Sequence, residues 1–274
     1  MASSEPVGIV VCGAAGRMGR LLVALGSQDP SLRVAGAVEA PAHALLGSDA
    51  GAVAGVGPLG IALVDALAPV CRPEHVIVDF TGVPAATLAN ARLAAERGAG
   101  LVVGTTGFTA AEDAELRGLA TRTRSVVAAN FSVGVTVLLA LVAQAATLLD
   151  GSFESEIVEL HHDRKKDAPS GTALALGRAV AAARGQDFAS AAVLAREGQV
   201  GARRPDEIGI VALRAGDAVG DHTVLFGGLG ERVELIHRAQ SRECLVRGAL
   251  RAAAWVGHRP PGLYGMRDVL GLPA

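Results

Sequence analysis

Val7-Gly8-Ile9-Val10-Val11-Cys12-Gly13-Ala14-Ala15-Gly16-Arg17-Met18-Gly19 is the stretch on which the fold depends. Its first six residues, Val7–Cys12, are apolar without alternation, which predicts a strand buried on both faces rather than a half-exposed one. Three glycines follow in the pattern GxxGxxG, and Met18–Leu25 then carries apolar residues at helical spacing. A glycine turn between a strand and a helix lets the backbone bend tightly and approach a pyrophosphate with no Cβ in the way. The helix start adds N–H groups and the positive end of its dipole. In a chain with 35 glycines such a turn is a weak signal by itself.

The next strand strengthens it. Leu32–Val38 reads as the second strand, and Glu39 ends it, 39 − 19 = 20 residues after Gly19. That is where an acidic side chain receives the adenosine ribose hydroxyls. A carboxylate there repels a 2′-phosphate, and Ala40 supplies no cation to offset it, although Arg17 stands in the turn. The expectation is NADH as the preferred cofactor and NADPH as the poorer one.

Outward from this unit, strand and helix patterns alternate. Val76–Asp79, Leu101–Val103 and Ser125–Ala128 read as strands, and Pro84–Arg97 and Ala110–Arg122 as helices. Gly47–Gly60 is glycine-rich and reads as a loop. Val133–Leu149 is mostly apolar; it falls short of the roughly 20 apolar residues of a membrane span and reads as a buried helix. Beyond it the pattern changes: Glu154–Leu160, Ile208–Arg214, His222–Phe226 and Val233–Arg238 read as strands, with one helix, Thr172–Ala183, among them. Leu245–Val256 is a last helix that returns to the first domain. The expected fold is α/β: a Rossmann-like doubly wound parallel sheet (1–131 with 241–274) and a second α+β domain on an open mixed sheet (132–240).

The 274 residues are 50% hydrophobic and 19% charged, enough apolar material for a substantial core and far from disorder. Aromatics are 3%, so Ala, Val and Leu must fill most of that core. A net charge of −2 gives no basic surplus for nucleic acid. Cys12, Cys71 and Cys244 are odd in number and form no CxxC pair, which argues against a disulfide framework or zinc and fits a reducing cytoplasm. The first basic residue is Arg17, so no basic region precedes an apolar leader.

The second dense motif is Glu159-Leu160-His161-His162-Asp163-Arg164-Lys165-Lys166-Asp167-Ala168-Pro169-Ser170-Gly171-Thr172, leaving a strand and entering a helix. A histidine titrates near neutrality and can move a proton. Lys165 and the N–H groups of the helix start suit carboxylates. The same residues also suit a solvated charged loop with a helix cap. A metal site is disfavoured, since adjacent histidines on a strand point to opposite faces.

His161–Ala173 (HHDRKKDAPSGTA) resembles the signature of the 4-hydroxy-tetrahydrodipicolinate reductase (dihydrodipicolinate reductase) family. GAAGRMG (Gly13–Gly19), VDFT (Val78–Thr81), GTTG (Gly104–Gly107), AANFSVGV (Ala128–Val135), REGQVGAR, IGIVALRAGDAVGDHTVLF and LYGMRDVL (Leu263–Leu270) agree with it in order, from about residue 7 to 272. The resemblance implies an NAD(P)H-dependent oxidoreductase of lysine biosynthesis by the diaminopimelate route. Its substrate would be a cyclic imine with two carboxylates and a 4-hydroxyl, which loses water and gains a hydride at C4 and a proton. It implies His161 as acid/base, Lys165 as proton donor facing the substrate, and His162, Gly171 and Thr172 as substrate-binding. It implies Gly13, Ala14, Ala15, Gly16, Arg17, Met18 and Glu39 as dinucleotide contacts, with Gly104, Thr105, Thr106 and Ala128, Ala129, Asn130 and Phe131 near the nicotinamide end. Arg242 falls in the family's Ser-Arg pair. A homotetramer through the second-domain sheet is implied. The two-domain arrangement itself gives the expectation of domain closure on ligand, with hinges near Asn130 and Ser241. Ala40 departs from the family, which often has a basic residue there. A different Rossmann dehydrogenase, such as one acting on aspartate, would leave the HHDRKKDAPSGTA loop unexplained. A non-catalytic NAD-binding sensor would need a partner-binding module, and no basic recognition helix stands out.

Overall fold

The computed structural model describes residues 5–149 and 151–273; positions 1–4, 150 and 274, which the expected domain ranges include, lie outside the described residues. The chain divides into two compact units, Met1–Val133 with Glu243–Ala274, and Gly134–Arg242.

The first unit begins β1 (Val7–Cys12), α1 (Arg17–Gly26), β2 (Leu32–Val38), α2 (Ala50–Ala54), β3 (Leu63–Val64), β4 (Val76–Asp79), α3 (Pro84–Arg97), β5 (Gly100–Val103), α4 (Ala110–Ala120) and β6 (Arg124–Val127). The second unit holds α5 (Val133–Leu148), β7 (Glu154–His161), α6 (Gly171–Ala183), α7 (Phe188–Ala191), β8 (Ala192–Val193), β9 (Ile208–Arg214), β10 (Gly220–Gly228) and β11 (Glu231–Ala239). The first unit resumes with α8 (Glu243–Val256), β12 (Gly262–Tyr264) and α9 (Met266–Leu270).

All seven strands of the first sheet are parallel, in the order β12-β6-β5-β4-β1-β2-β3. Strand β1 shows why its sequence is apolar throughout. Ile9 and Val11 point into a core with Leu22 of α1 and Val246 and Leu250 of α8. Val10 and Cys12 point into another core with Leu88 of α3 and Leu116 of α4. A strand covered on both faces has no position at which a polar residue would be solvated. Helix α4 begins at a capping box formed by Thr109 and Glu112, and α3 opens on Pro84, which has no N–H to satisfy.

Gly47–Gly60 is not the plain loop the glycines suggest. Asp49 caps the short helix α2, and its carboxylate accepts from the N–H groups of Ala52, Leu59, Gly60 and Ile61. Those bonds, led by that of Leu59, hold its carboxyl down at about 2.

In the second unit a five-stranded mixed sheet runs β11-β10-β7-β9-β8, with β7, β8 and β9 mutually parallel and β10 antiparallel to both neighbours. One face carries Ile157, Ile210, Val224 and Phe226 against Leu138 and Val142 of α5 and Leu176 and Val180 of α6. The opposite face leaves Val158, Val211, Leu213 and Ile236 exposed, at 38%, 41%, 47% and 44%. Helix α5, read from the sequence as a buried helix, buries one side only within this unit, where Leu141 and Leu148 are exposed. Among the described residues no helix is long and apolar enough to cross a membrane.

Candidate functional site: a dinucleotide turn and a histidine–carboxylate cluster

In the first unit the turn after β1 is built by glycines that leave no alternative. Gly13 has φ +75°, a left-handed conformation. A Cβ on Gly19 would sit 2.0 Å from the Gly13 carbonyl oxygen, so α1 could not start so close to the strand. Gly16 is the N-cap of α1 and brings no side chain to its first N–H groups. Gly16 and Arg17 are exposed, Met18 is half-buried, and Ala14 and Ala15 are buried. Arg20 Nε donates to the Ala15 carbonyl at 2.8 Å. Glu39 lies against the same turn: its Oε2 accepts from Ala15 N–H at 2.9 Å and its Oε1 from Ala40 N–H at 2.9 Å. A carboxylate has about four acceptor positions, so two remain for hydroxyls. The glycine cradle, the open helix start and this acid fit a dinucleotide.

The loops after β4 and β5 meet on Asp79, which is wholly buried. Its Oδ1 accepts from the hydroxyls of Thr81 (2.9 Å), Thr87 (2.8 Å) and Thr105 (3.0 Å), and its Oδ2 from Asn90 (2.8 Å). Thr105 in turn accepts from Gly82 N–H at 3.1 Å. Gly104 lies under the Phe80 ring, where a Cβ would fall 2.1 Å from Cε1. Phe80 packs on Phe131 with centroids 5.5 Å apart. The side chains of Thr105 and Phe131 are therefore internal, at 5% and 1% exposure, while Thr106 and Ala129 are exposed and Ala128 and Asn130 half-buried. Asn130 Oδ1 accepts from Ser132 N–H at 2.8 Å.

In the second unit the chemistry gathers at the end of β7 and the start of α6. Strand periodicity of two puts Glu159 and His161 on the same, covered face. His161 Nδ1 lies 2.6 Å from Glu159 Oε2. Glu159 is fully buried and also takes Arg214 Nη1 on Oε2 (2.8 Å), Arg214 Nη2 on Oε1 (3.0 Å) and Ser170 N–H on Oε1 (2.9 Å). Burial pushes this carboxyl up, but the bonds from Arg214, His161 and Ser170 outweigh it and hold it below the ordinary range. Ser170 caps α6, its Oγ accepting from Ala173 N–H, and lies 3.1 Å from His222 Nε2. The His222 ring stands edge-on to that of His161, centroids 5.3 Å apart. Burial and neighbouring His161 push His222 down to about 4, so it is neutral at pH 7.

Lys165 Nζ pairs with both oxygens of Asp167, at 2.9 and 2.8 Å. Arg214 Nη2 also donates to the Asp167 carbonyl at 2.6 Å, tying the loop to β9. His162 is held by its backbone, N–H to the Ala218 carbonyl at 2.7 Å. Gly171, first residue of α6, is exposed, with open space where a Cβ would stand. His161, His162, Lys165, Gly171 and Thr172 thus all lie between the last residue of β7 and the first turn of α6. The sequence reading did not single out Asp79, Glu159, Arg214 and His222, which the structure hydrogen-bonds into these two clusters. Two carried a readable signal: Asp79 is an acid at the end of an apolar strand, and Glu159 stands two places before a histidine.

Comparison with known proteins follows the same division. The model described as Dihydrodipicolinate reductase, N-terminus matches residues 7–131, and that described as Dihydrodipicolinate reductase, C-terminus matches residues 134–270. A 4-hydroxy-tetrahydrodipicolinate reductase of Anaeromyxobacter sp. (strain Fw109-5) is 52% identical over 266 residues, covering 97% of this chain and 98% of that protein. One of Rhodopseudomonas palustris (strain BisB18) is 50% identical over 264 residues, covering 96% and 97%. Among solved structures, dipicolinate-bound dihydrodipicolinate reductase from Paenisporosarcina sp. TG-14 superposes with TM-score 0.72 at 22% identity, covering 96% of this chain and 98% of that one. An amine dehydrogenase from Mycobacterium smegmatis, with TM-score 0.58 at 15% identity, covering 99% and 97%, shares the fold. With both halves matched and half of the residues identical over nearly the full length, the chain belongs to the dihydrodipicolinate reductase family.

Proposed function

We propose that this chain reduces 4-hydroxy-tetrahydrodipicolinate to tetrahydrodipicolinate at the expense of a reduced nicotinamide dinucleotide, in the diaminopimelate route to lysine. The observation that carries the reading is the identity of 52% with a 4-hydroxy-tetrahydrodipicolinate reductase over 97% of the chain. When bound, the dinucleotide supplies a hydride from its nicotinamide ring. The residues of the chain do the rest. Gly13–Met18 and Glu39 receive the pyrophosphate and ribose, and the Gly104–Thr106 and Ala128–Phe131 segments serve the nicotinamide end. The N–H groups of Gly171 and Thr172, with Lys165 and His162, hold the carboxylates of the substrate. His161 moves the proton through Nε2, since Nδ1 is engaged by Glu159. Lys165 exchanges Asp167 for a substrate carboxylate, an anion swap that leaves its charge paired throughout.

NADH is the better cofactor on this reading. With Glu39 facing the ribose hydroxyls, its carboxylate would repel a 2′-phosphate, and Ala40 brings no cation to offset the repulsion. The exposed apolar face of the second sheet, with Val158, Val211, Leu213 and Ile236, supports assembly as a homotetramer through that sheet. Cys12 and Cys71 are buried thiols in no disulfide, which fits a reducing cytoplasm.

The test is oxidation of NADH and of NADPH by purified protein, with substrate generated in situ from pyruvate and aspartate semialdehyde by the preceding synthase. Synthase-dependent oxidation, faster with NADH at equal concentration, is expected. No oxidation by folded protein that still binds NADH, or NAD reduction with an amino acid such as aspartate, would overturn the reading.

A further inference from the structure

Glu159 is a buried carboxylate with a full set of donors and no place in the proposed substrate contacts. Four bonds reach its two oxygens, from His161, Ser170 and twice from Arg214. An ionised carboxylate only accepts, so its partner His161 must carry a proton on Nδ1. That leaves Nε2 as the one ring nitrogen that changes state, acceptor in the neutral ring and donor in the protonated one. Nε2 has room because residue 220 is glycine: a Cβ there would stand 3.0 Å from it.

We infer that Glu159, braced by Arg214, is a positioning residue that fixes the tautomer and the orientation of His161 for proton transfer at Nε2. The inference rests on His161 being the acid/base of the proposed reaction. The step itself is a proton transfer: the Nε2–H bond breaks as the reduced ring gains one proton, the bonding pair stays on nitrogen, and no electrons change hands.

Two features favour this over a purely structural ion pair. Arg214 bonds Glu159 through two parallel N–H groups, a rigid fork that fixes the plane of the carboxylate and hence the direction from which Nδ1 is approached. The same guanidinium reaches the Asp167 carbonyl, so the loop bearing Lys165 and the His161 ring are set by one group. The charged and titratable groups around His161 are Glu159 on its own strand, Arg214 from β9, His222 from β10 with His237 behind it on β11, and Lys165 with Asp167 from the loop. Glu159 and Asp167 are the anions in this set, and Glu159 alone touches the ring. Its removal withdraws the direct stabilisation of the protonated imidazole.

The experiment compares kcat and KM of Glu159→Gln, His161→Gln and the double variant in the synthase-coupled assay, with thermal unfolding in parallel. Glu159→Gln keeps the shape and is expected to lower kcat by about tenfold to a hundredfold with KM within about threefold. The double variant is expected to be no slower than His161→Gln, because the two residues act as one. Arg214→Lys, which keeps the charge but not the fork, is expected to fall between wild type and Glu159→Gln. Full loss from His161→Gln with unchanged kcat in Glu159→Gln overturns the positioning role and leaves the acid/base reading standing. Unchanged kcat in His161→Gln overturns the reading beneath it. Multiplicative losses in the double variant overturn the coupling between the two residues.

Discussion

Thr105 donates its hydroxyl to Oδ1 of Asp79 at 3.0 Å, so the loop after β5 is tied to the last residue of β4 across 26 positions of sequence. Thr81 and Thr87 share that oxygen, which makes one buried carboxylate the anchor for both loops at the carboxyl ends of adjacent strands. Hydrogen bonds to a buried charge contribute roughly 1.5–3 kcal/mol each, and a hydroxyl left unpaired costs a similar amount. Asp79→Ala is therefore expected to destabilise the protein by about 3 kcal/mol or more. Thr105→Val is expected to cost about 1–2 kcal/mol and to weaken NADH binding; denaturant unfolding and NADH titration measure the two effects.

Ala40→Arg places a cation beside Glu39, whose carboxylate is already directed inward by the N–H groups of Ala15 and Ala40. The kcat/KM for NADPH is expected to rise about tenfold, with little change for NADH, since an Arg can grip a 2′-phosphate bidentately. Steady-state kinetics with both cofactors decides it; an unchanged ratio would remove the charge argument for cofactor choice.

His222 links pH to stability. Its folded-state value of about 4 lies below the ordinary 6.5, because burial and His161 disfavour the charged ring. A depressed value means that the unfolded chain binds the proton first. The contribution of His222 is whole above pH 6.5 and is lost as pH falls toward 4, by about 3 kcal/mol at roughly 1.4 kcal/mol per unit. His75 and His237, also pushed down by burial, act in the same direction. Urea unfolding from pH 7.5 to 4.5 is expected to show the decline, and His222→Gln to flatten it. An equally steep decline in the variant would locate the effect elsewhere.

Gly248 of α8 lies against the backbone at Phe131, and a Cβ there would meet the Phe131 carbonyl oxygen at 1.7 Å. Backbone cannot step aside as a flexible side chain does. Gly248→Ala is expected to cost about 3 kcal/mol or more and to lower Tm, whereas Gly118→Ala on α4, with open space around it, is expected to be neutral or slightly stabilising.

The parts of the fold legible in the sequence are those where burial is continuous. VGIVVC and VIVD have apolar side chains on both faces, and helices such as Pro84–Arg97 carry their own punctuation in Pro84 and Gly98. The two-residue strands β3 and β8 and the three-residue β12 are too short to show a period and exist because a neighbour offers its edge. Helix α2 depended on a single acid, Asp49, reaching four N–H groups at once. At the site, Glu39 was legible from its distance to the glycine turn, and the His161–Thr172 segment from its composition. Arg214 and His222 were not, because their partners Glu159 and Ser170 lie 55 and 52 residues away and nothing local marks them. Phe131 read as a contact residue, yet its ring fills the core beside Phe80, so anything it offers a dinucleotide comes from its backbone.

The return of α8 and β12 to the first unit matters for the way the protein is made. Gly262 pairs with Arg124, 262 − 124 = 138 residues earlier. While a ribosome synthesises Gly134–Arg242, the earlier half waits with the β6 edge unpaired and without Val246, Leu250 and Ala253 on one side of its sheet. At about 5–20 residues per second that wait lasts on the order of 5–20 s, long against the formation of a helix or hairpin. The part of the chain that emerges first is thus the last to be completed, and in that interval the β6 edge presents unpaired backbone N–H and C=O groups.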